Sequence, residues 1–203
     1  MHRLSRFFSW VFQPLLMPVY GTLIYLNLPF YAFSLLPAKV YWYVIICNLL
    51  FTVFLPVLMI LLLQRYELIT SIHLHRREER AYPIIFTVAF HVANYYFLTK
   101  ASLPGPYMFF LIAGVFSLLT TLVITYSWKI SLHMTGIGGL CGAILSLAII
   151  WPLELRFVLV GLFLVAGLTG SSRLLLRAHD GWQVAAGFFA GFLPQMLVVW
   201  LAN

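Results

Sequence analysis

The chain has 203 residues, of which 63% are hydrophobic and only 8% charged; soluble domains run at roughly half apolar and about a quarter charged, so a soluble fold is excluded. Twelve Lys and Arg against five Asp and Glu give a net charge of +7, but the charges sit in a few short stretches rather than on a solvated basic domain, which excludes a nucleic-acid partner. The single Asp is Asp180 and the Glu are Glu67, Glu78, Glu79 and Glu154, too few for paired-carboxylate chemistry or a carboxylate metal cage.

A helix needs ~20 apolar residues to cross ~30 Å of hydrocarbon, where every backbone polar group must be paired internally. Charge-free runs at 7–38, 40–64, 81–99, 101–128, 130–153, 157–172 and 181–203 therefore predict an all-α, polytopic transmembrane helix bundle. One integral-membrane domain over 1–203 with about six to seven spans is expected, in a bacterial cytoplasmic membrane. The first run is too long for one straight span and contains Pro14, Pro18, Pro29 and Pro37, so part of it is expected to kink or lie in the interface. Arg3 and Arg6 precede that run, yet no small-residue cleavage site follows, and the amino terminus is expected to be retained. Cys47 and Cys141 lie inside apolar runs and read as packing residues.

With seven alternating helices, the amino terminus, 65–80, Lys129 and 173–180 emerge on one side, and Lys39, Lys100, Glu154 and Arg156 on the other. Lys and Arg then divide nine against three, which the positive-inside rule would read as a cytoplasmic basic side. Five of the nine, Arg77, Arg80, Lys129, Arg173 and Arg177, are candidates for an anion site and do not report insertion bias, which leaves orientation open.

Three polar clusters interrupt the apolar text. The first, His73 to Pro83, places Arg77, Arg80 and Pro83 three apart at the start of a span. The second, Lys129 to His133, puts Lys129 and His133 four apart, on one face if helical. The third, Ser172 to Gln183, carries Arg173, and His179 four before Gln183. Singly, the first reads as a solvated loop, the second as a snorkelling Lys with an interfacial His, and the third as an interfacial loop. Together they are separated by pairs of apolar helices and return to one membrane surface, as a composite site requires. Arg forks suit phosphate oxygens, Lys supplies a point charge, and two histidines supply a nucleophile and an acid, so the implied substrate group is a phosphate.

Two weaker signals lie deeper. His91, mid-span beside Asn94, reads as an interhelical hydrogen-bond partner and is left out of the site. Gly136, Gly138, Gly139 and Gly142 follow His133 and would let another helix approach closely, freeing space for an acyl or prenyl chain. No Gly-Lys-Ser/Thr follows them, so they are not a nucleotide loop.

At these residues the sequence resembles the type 2 phosphatidic-acid phosphatase superfamily, the integral-membrane lipid phosphatases, over about 73–203. Ser172-Arg173, five residues, His179, three residues and Gln183 match the third family motif, with Gln183 where the family has Asp. Ile130-Ser131-Leu132-His133 keeps the Ser and His of the second. In the first, Arg80 matches the family Arg, Ala81 stands where Pro is expected and His73 where Lys is. The resemblance implies that His179 attacks phosphorus while His133 protonates the leaving group. Arg173, Arg80 and Lys129, with Arg77 nearby, would hold phosphate oxygens, and Ser131 would add a hydrogen bond. Gln183 can accept from His179 but adds no charge; Asp180 is an alternative partner. No metal or other cofactor is implied. The partners are a lipid phosphate substrate and membrane lipids, and nothing in the sequence sets an oligomeric state. A catalytically silent relative that binds or moves phospholipids or polyprenyl phosphates is the rival reading; a phosphate-linked transferase lacks the acidic motifs it needs.

Overall fold

The computed structural model describes residues 2–28, 31–71, 78–151 and 153–202. The α-helices among them are α1 (His2–Val11), α2 (Met17–Leu26), α3 (Tyr31–Ser34), α4 (Ala38–Asn48), α5 (Leu55–Arg65), α6 (Ala81–Thr99), α7 (Gly105–Ser127), α8 (Leu132–Ile150), α9 (Arg156–Leu175) and α10 (Gly181–Leu201). Seven helical stretches are long and apolar enough to cross a membrane: His2–Leu26, Ala38–Arg65, and α6 to α10. The protein is an integral, multi-pass, all-α bundle, with seven such stretches among the described residues.

The two breaks inside the first spans have local causes. The 3₁₀ turn Pro14–Leu16 separates α1 from α2, with Pro14 at the first position, where a missing amide costs nothing. The helix before it starts at His2 and takes in Arg3 and Arg6, which the expected run starting at residue 7 left outside. Between α4 and α5 the chain widens into a π-helical turn, Leu49–Phe54, just ahead of Pro56. Pro56 has no N–H for the carbonyl of Thr52, and the wider turn carries the helix past that gap.

The centre of the bundle is α8, packed against α10, α9, α7 and α2. Lipid tails are as apolar as Leu, so helix association depends on close packing rather than on the hydrophobic effect. The glycines of α8 and α10 provide it. A Cβ at Gly138 or Gly142 would land on the carbonyl oxygen of Phe188 or Phe192, and one at Gly191 on that of Thr135. A Cβ at Gly136 would meet the Met17 side chain on α2, and Gly136 and Gly139 also line an internal cavity. The glycine series therefore allows the close helix approach expected of it.

At the end of the bundle opposite the basic clusters, polar side chains tie four helices together. The Tyr107 hydroxyl bonds Thr22 Oγ1 at 3.0 Å and accepts from Asn48 Nδ2 at 2.8 Å, and Asn48 Oδ1 accepts from Asn94 Nδ2 at 3.2 Å. Tyr25 stacks on Phe110 beside them, ring centroids 4.9 Å apart. Cys47 and Cys141 are buried free thiols. The basic ends of α6, α7, α8, α9 and α10 are left to meet at the other surface.

Candidate active site at the basic end of the bundle

Each polar cluster is delivered by a helix terminus. Arg80 closes the 3₁₀ turn Glu78–Arg80 directly before α6, is buried, and donates from Nη1 to the carbonyl of Ile130 at 3.2 Å. That carbonyl belongs to the α7–α8 connection, which runs extended through Lys129, Ile130 and Ser131 until Ser131 starts α8. The Ser131 amide donates to Gln183 O at 3.2 Å, fastening the connection to α10, while its Oγ is buried without a hydrogen-bond partner. His133, in the first turn of α8, donates from Nε2 to the carbonyl of Ser9 on α1 at 3.0 Å. Arg173, in the last turn of α9, donates from Nη1 to Ser9 Oγ at 3.2 Å, and its Nε is buried and unpartnered.

The α9–α10 reversal places His179. Arg177 takes φ 50°, a left-handed conformation that ends α9, and the amides of Arg177 and Ala178 bond back to Leu174 O at 2.9 Å and Arg173 O at 3.1 Å. Asp180 then caps α10, its Oδ1 accepting from Gln183 N at 2.9 Å. Between these two devices His179 is turned inward and buried, and its Nδ1–H donates to Gln183 Oε1 at 3.0 Å. An amide carbonyl only accepts, so the proton is on Nδ1 and Nε2 carries the lone pair.

Arg80, His133, Arg173 and His179 line one cavity of about 990 Å³. From this basic mouth it runs inward past Ile84, Leu111, Leu118, Leu132 and Leu140 to Asn94, Phe110 and Gln195. Along α6, Ala81 to Asn94 spans roughly 20 Å at ~1.5 Å per residue, about two thirds of the hydrocarbon thickness. The arrangement is a cationic, histidine-bearing mouth over a mostly apolar shaft.

Burial and mutual repulsion shape the charges at the mouth. Burial, opposed by the Gln183 hydrogen bond and reinforced by the charges of Arg80, Arg173 and Lys129, pushes His179 down to about 4. Its imidazole is therefore neutral at pH 7, with Nε2 available. Burial first, then Arg173, lowers Arg80; burial first, then Arg80 and Arg173, lowers Lys129. Glu79, buried in the same turn as Arg80, accepts from Thr70 Oγ1 at 3.1 Å, and Glu154 pairs with Arg156 at 3.7 Å at the opposite end of the bundle. A phosphate dianion would be attracted by the cations gathered here.

The structure thus brings Arg80, His133, Arg173 and His179 together, with Ser131, Lys129 and Gln183 adjoining. Arg77 lies outside the described residues, as does His73. Four expectations are corrected. Lys129 and His133 do not share a helix face, because α8 begins only at Leu132; Lys129 acts through its charge from the connection. Arg177 is exposed and serves the turn. Asp180 is exposed and spent on the cap, so Gln183 alone of the two bonds the His179 ring. His91 bonds the carbonyl of Thr87 in its own helix at 2.8 Å and lines the cavity; the interhelical partner is Asn94. The sequence did not point to α1, whose Arg6, Ser9 and Trp10 line the cavity together with Gln13 just beyond it. Comparison of the chain with protein-family models, curated proteins and solved structures finds no match.

Proposed function

We propose that the protein is a membrane lipid phosphate or diphosphate phosphatase acting through a phosphohistidine, of the type 2 phosphatidic-acid phosphatase kind. The observation that carries this reading is His179, neutral, with its Nδ1 proton held by Gln183 and its Nε2 lone pair available in a mouth that also holds Arg80, Arg173 and His133. The apolar shaft behind that mouth suits a lipid chain.

In the proposed reaction His179 Nε2 attacks phosphorus and the bond from phosphorus to the lipid oxygen breaks. His133, as the imidazolium that a bound phosphate dianion favours, gives its proton to the departing oxygen and becomes neutral, and a lipid alcohol or a lipid monophosphate leaves. Water then attacks the phosphohistidine, His133 takes its proton, the P–N bond breaks and inorganic phosphate departs. Arg80 and Arg173 neutralise the charge that spreads over the equatorial oxygens, helped by Lys129 through space. Ser131, with a buried hydroxyl that has no partner, supplies a further donor. The imidazolium that forms on His179 is stabilised only by a neutral amide, which predicts modest turnover.

A silent relative that binds or moves lipid phosphates is the second reading, favoured by that same neutral Gln183. The experiment that separates them measures inorganic phosphate released from a panel of lipid phosphates and diphosphates by the purified protein. The enzyme reading expects release that is lost in His179→Ala. Binding without release in the parent protein would favour the silent relative.

A further inference from the structure

The two groups the proposed chemistry most needs are both held by one residue outside the three clusters. Ser9, on α1, accepts from His133 Nε2 through its carbonyl at 3.0 Å and from Arg173 Nη1 through its hydroxyl at 3.2 Å. These are two oxygens presented to an acid and a guanidinium, as two oxygens of one phosphate would be. While His133 points its Nε2 proton at Ser9, that proton is not available to a leaving group. A phosphate and Ser9 cannot hold the same two donors at once.

The helix that carries Ser9 is a short element set off from α2 by the Pro14 turn. It is ten residues long, packs chiefly on α9, and turns Leu4, Phe7 and Trp10 outward at 64%, 58% and 74% exposure. Its junction with the body is short: Gln13 is extended at φ −66°, ψ 139° before the Pro14 turn, and the Tyr20 hydroxyl holds the carbonyl of Val11 at 2.9 Å. A rotation about Phe12 and Gln13 would carry Ser9 off the site at the expense of the α1–α9 packing.

We propose that α1 is a strap over the phosphate site, in which Ser9 competes with a bound phosphate for His133 and Arg173 and is displaced when phosphate enters. The inference rests on the phosphate reading above and adds to it the element that admits the substrate. The strap delays commitment of the acid until an anion has taken its place, and it pairs one donor of the Arg173 guanidinium, Nη1, while Nε stays unpartnered for the incoming anion.

The competition fixes the sign of two measurements on the full chain in lipid nanodiscs, with inorganic phosphate as the probe. In Ser9→Ala the hydroxyl that holds Arg173 is gone, so phosphate affinity by titration calorimetry should rise, by roughly three- to tenfold for one hydrogen bond. In Ser9→Cys, phosphate should speed alkylation of residue 9 by N-ethylmaleimide several-fold, with the modified position read by peptide mass. Weaker phosphate binding in Ser9→Ala, or protection of the cysteine by phosphate, would make Ser9 an ordinary ligand and overturn the strap while leaving the phosphate site intact. No phosphate binding by the parent protein, with none lost in Arg173→Gln, would remove both the strap and the phosphate reading.

Discussion

Replacing Gln183 by Glu tests the catalytic reading at its weakest point. The change is nearly isosteric, so an oxygen stays where Oε1 now accepts from His179 Nδ1 at 3.0 Å. The backbone tolerates it: residue 183 is the third residue of α10 after the Asp180 cap, where an acid favours the helix dipole and completes a capping box. A hydrogen bond to a charged group contributes about 1.5–3 kcal/mol against about 0.5–1.5 for a neutral one. The imidazolium that forms on phosphoryl transfer should therefore gain roughly 1–2 kcal/mol, or about 5- to 30-fold in kcat. The ~10⁴ known for the reverse change in a protease triad is an upper guide, since it includes a wrong tautomer that Gln183 does not impose.

The same carboxylate must move the pH profile. Below its pKa His179 is protonated and has no lone pair, so kcat/KM falls as pH falls; in the parent protein that limb should lie near 4, where burial and the neighbouring cations place the ring. In Gln183→Glu the charged partner favours the imidazolium and the limb should rise by about one unit, because ~1.4 kcal/mol corresponds to one unit. The added negative charge should also weaken phosphate binding, so KM rises while kcat rises. Phosphate release as a function of pH, corrected for the substrate's own ionisation, reads all three effects. A limb that stays put together with unchanged kcat would show that residue 183 does not address the nucleophile.

Three further outcomes are expected. His179→Ala should abolish phosphate release and any trapped phosphoenzyme, while His133→Ala should retain activity on substrates with good leaving groups; the two losses should be far from additive because the residues act as one unit. Gly191→Ala drives a Cβ into the carbonyl of Thr135 and should lower thermal stability in detergent by about 1–3 kcal/mol, whereas Gly161→Ala, with nothing within 4 Å of its Cβ, should stay within about 1 kcal/mol of the parent. Arg177→Gly relieves a left-handed residue at φ 50° and should melt at an equal or higher temperature with phosphate release retained; a large loss of release would return Arg177 to the site.

The fold was legible because the bilayer leaves few solutions. Once 63% of the residues are hydrophobic and charges fall at intervals of a membrane thickness, internally bonded helices are what remains. The interruptions were less legible. Prolines 14 and 56 both break an apolar run, yet one produces a 3₁₀ turn and the other a π turn. Pro14 stands first in its turn after an extended Gln13, whereas Pro56 lies inside a continuing helix, and spacing alone does not tell the two settings apart. Helix starts failed for a similar reason. Lys129 and His133 have helical spacing, but Ser131 gives its amide to Gln183 O and so is held extended by α10.

The candidate site was legible through parity rather than through any one cluster. Two apolar helices between successive clusters return the chain to one surface, and Arg80, His133, Arg173 and His179 do line one cavity. Parity says which surface a residue reaches, not which neighbour it meets there. Gln183 and Asp180 were both offered as the partner of His179, and the choice turned on the α10 cap: Asp180 accepts from Gln183 N, which leaves the amide of the next turn to face the ring. Ser9 was invisible for a stronger reason. A serine in an arginine- and phenylalanine-bearing amino-terminal helix carries no signal of its own, and its role comes from α1 lying against the end of α9. A cluster in sequence marks where charge is needed; contacts from a distant segment decide when that charge is available. In this protein His133 and Arg173 were marked by the first rule, and both bond Ser9 on the distant α1.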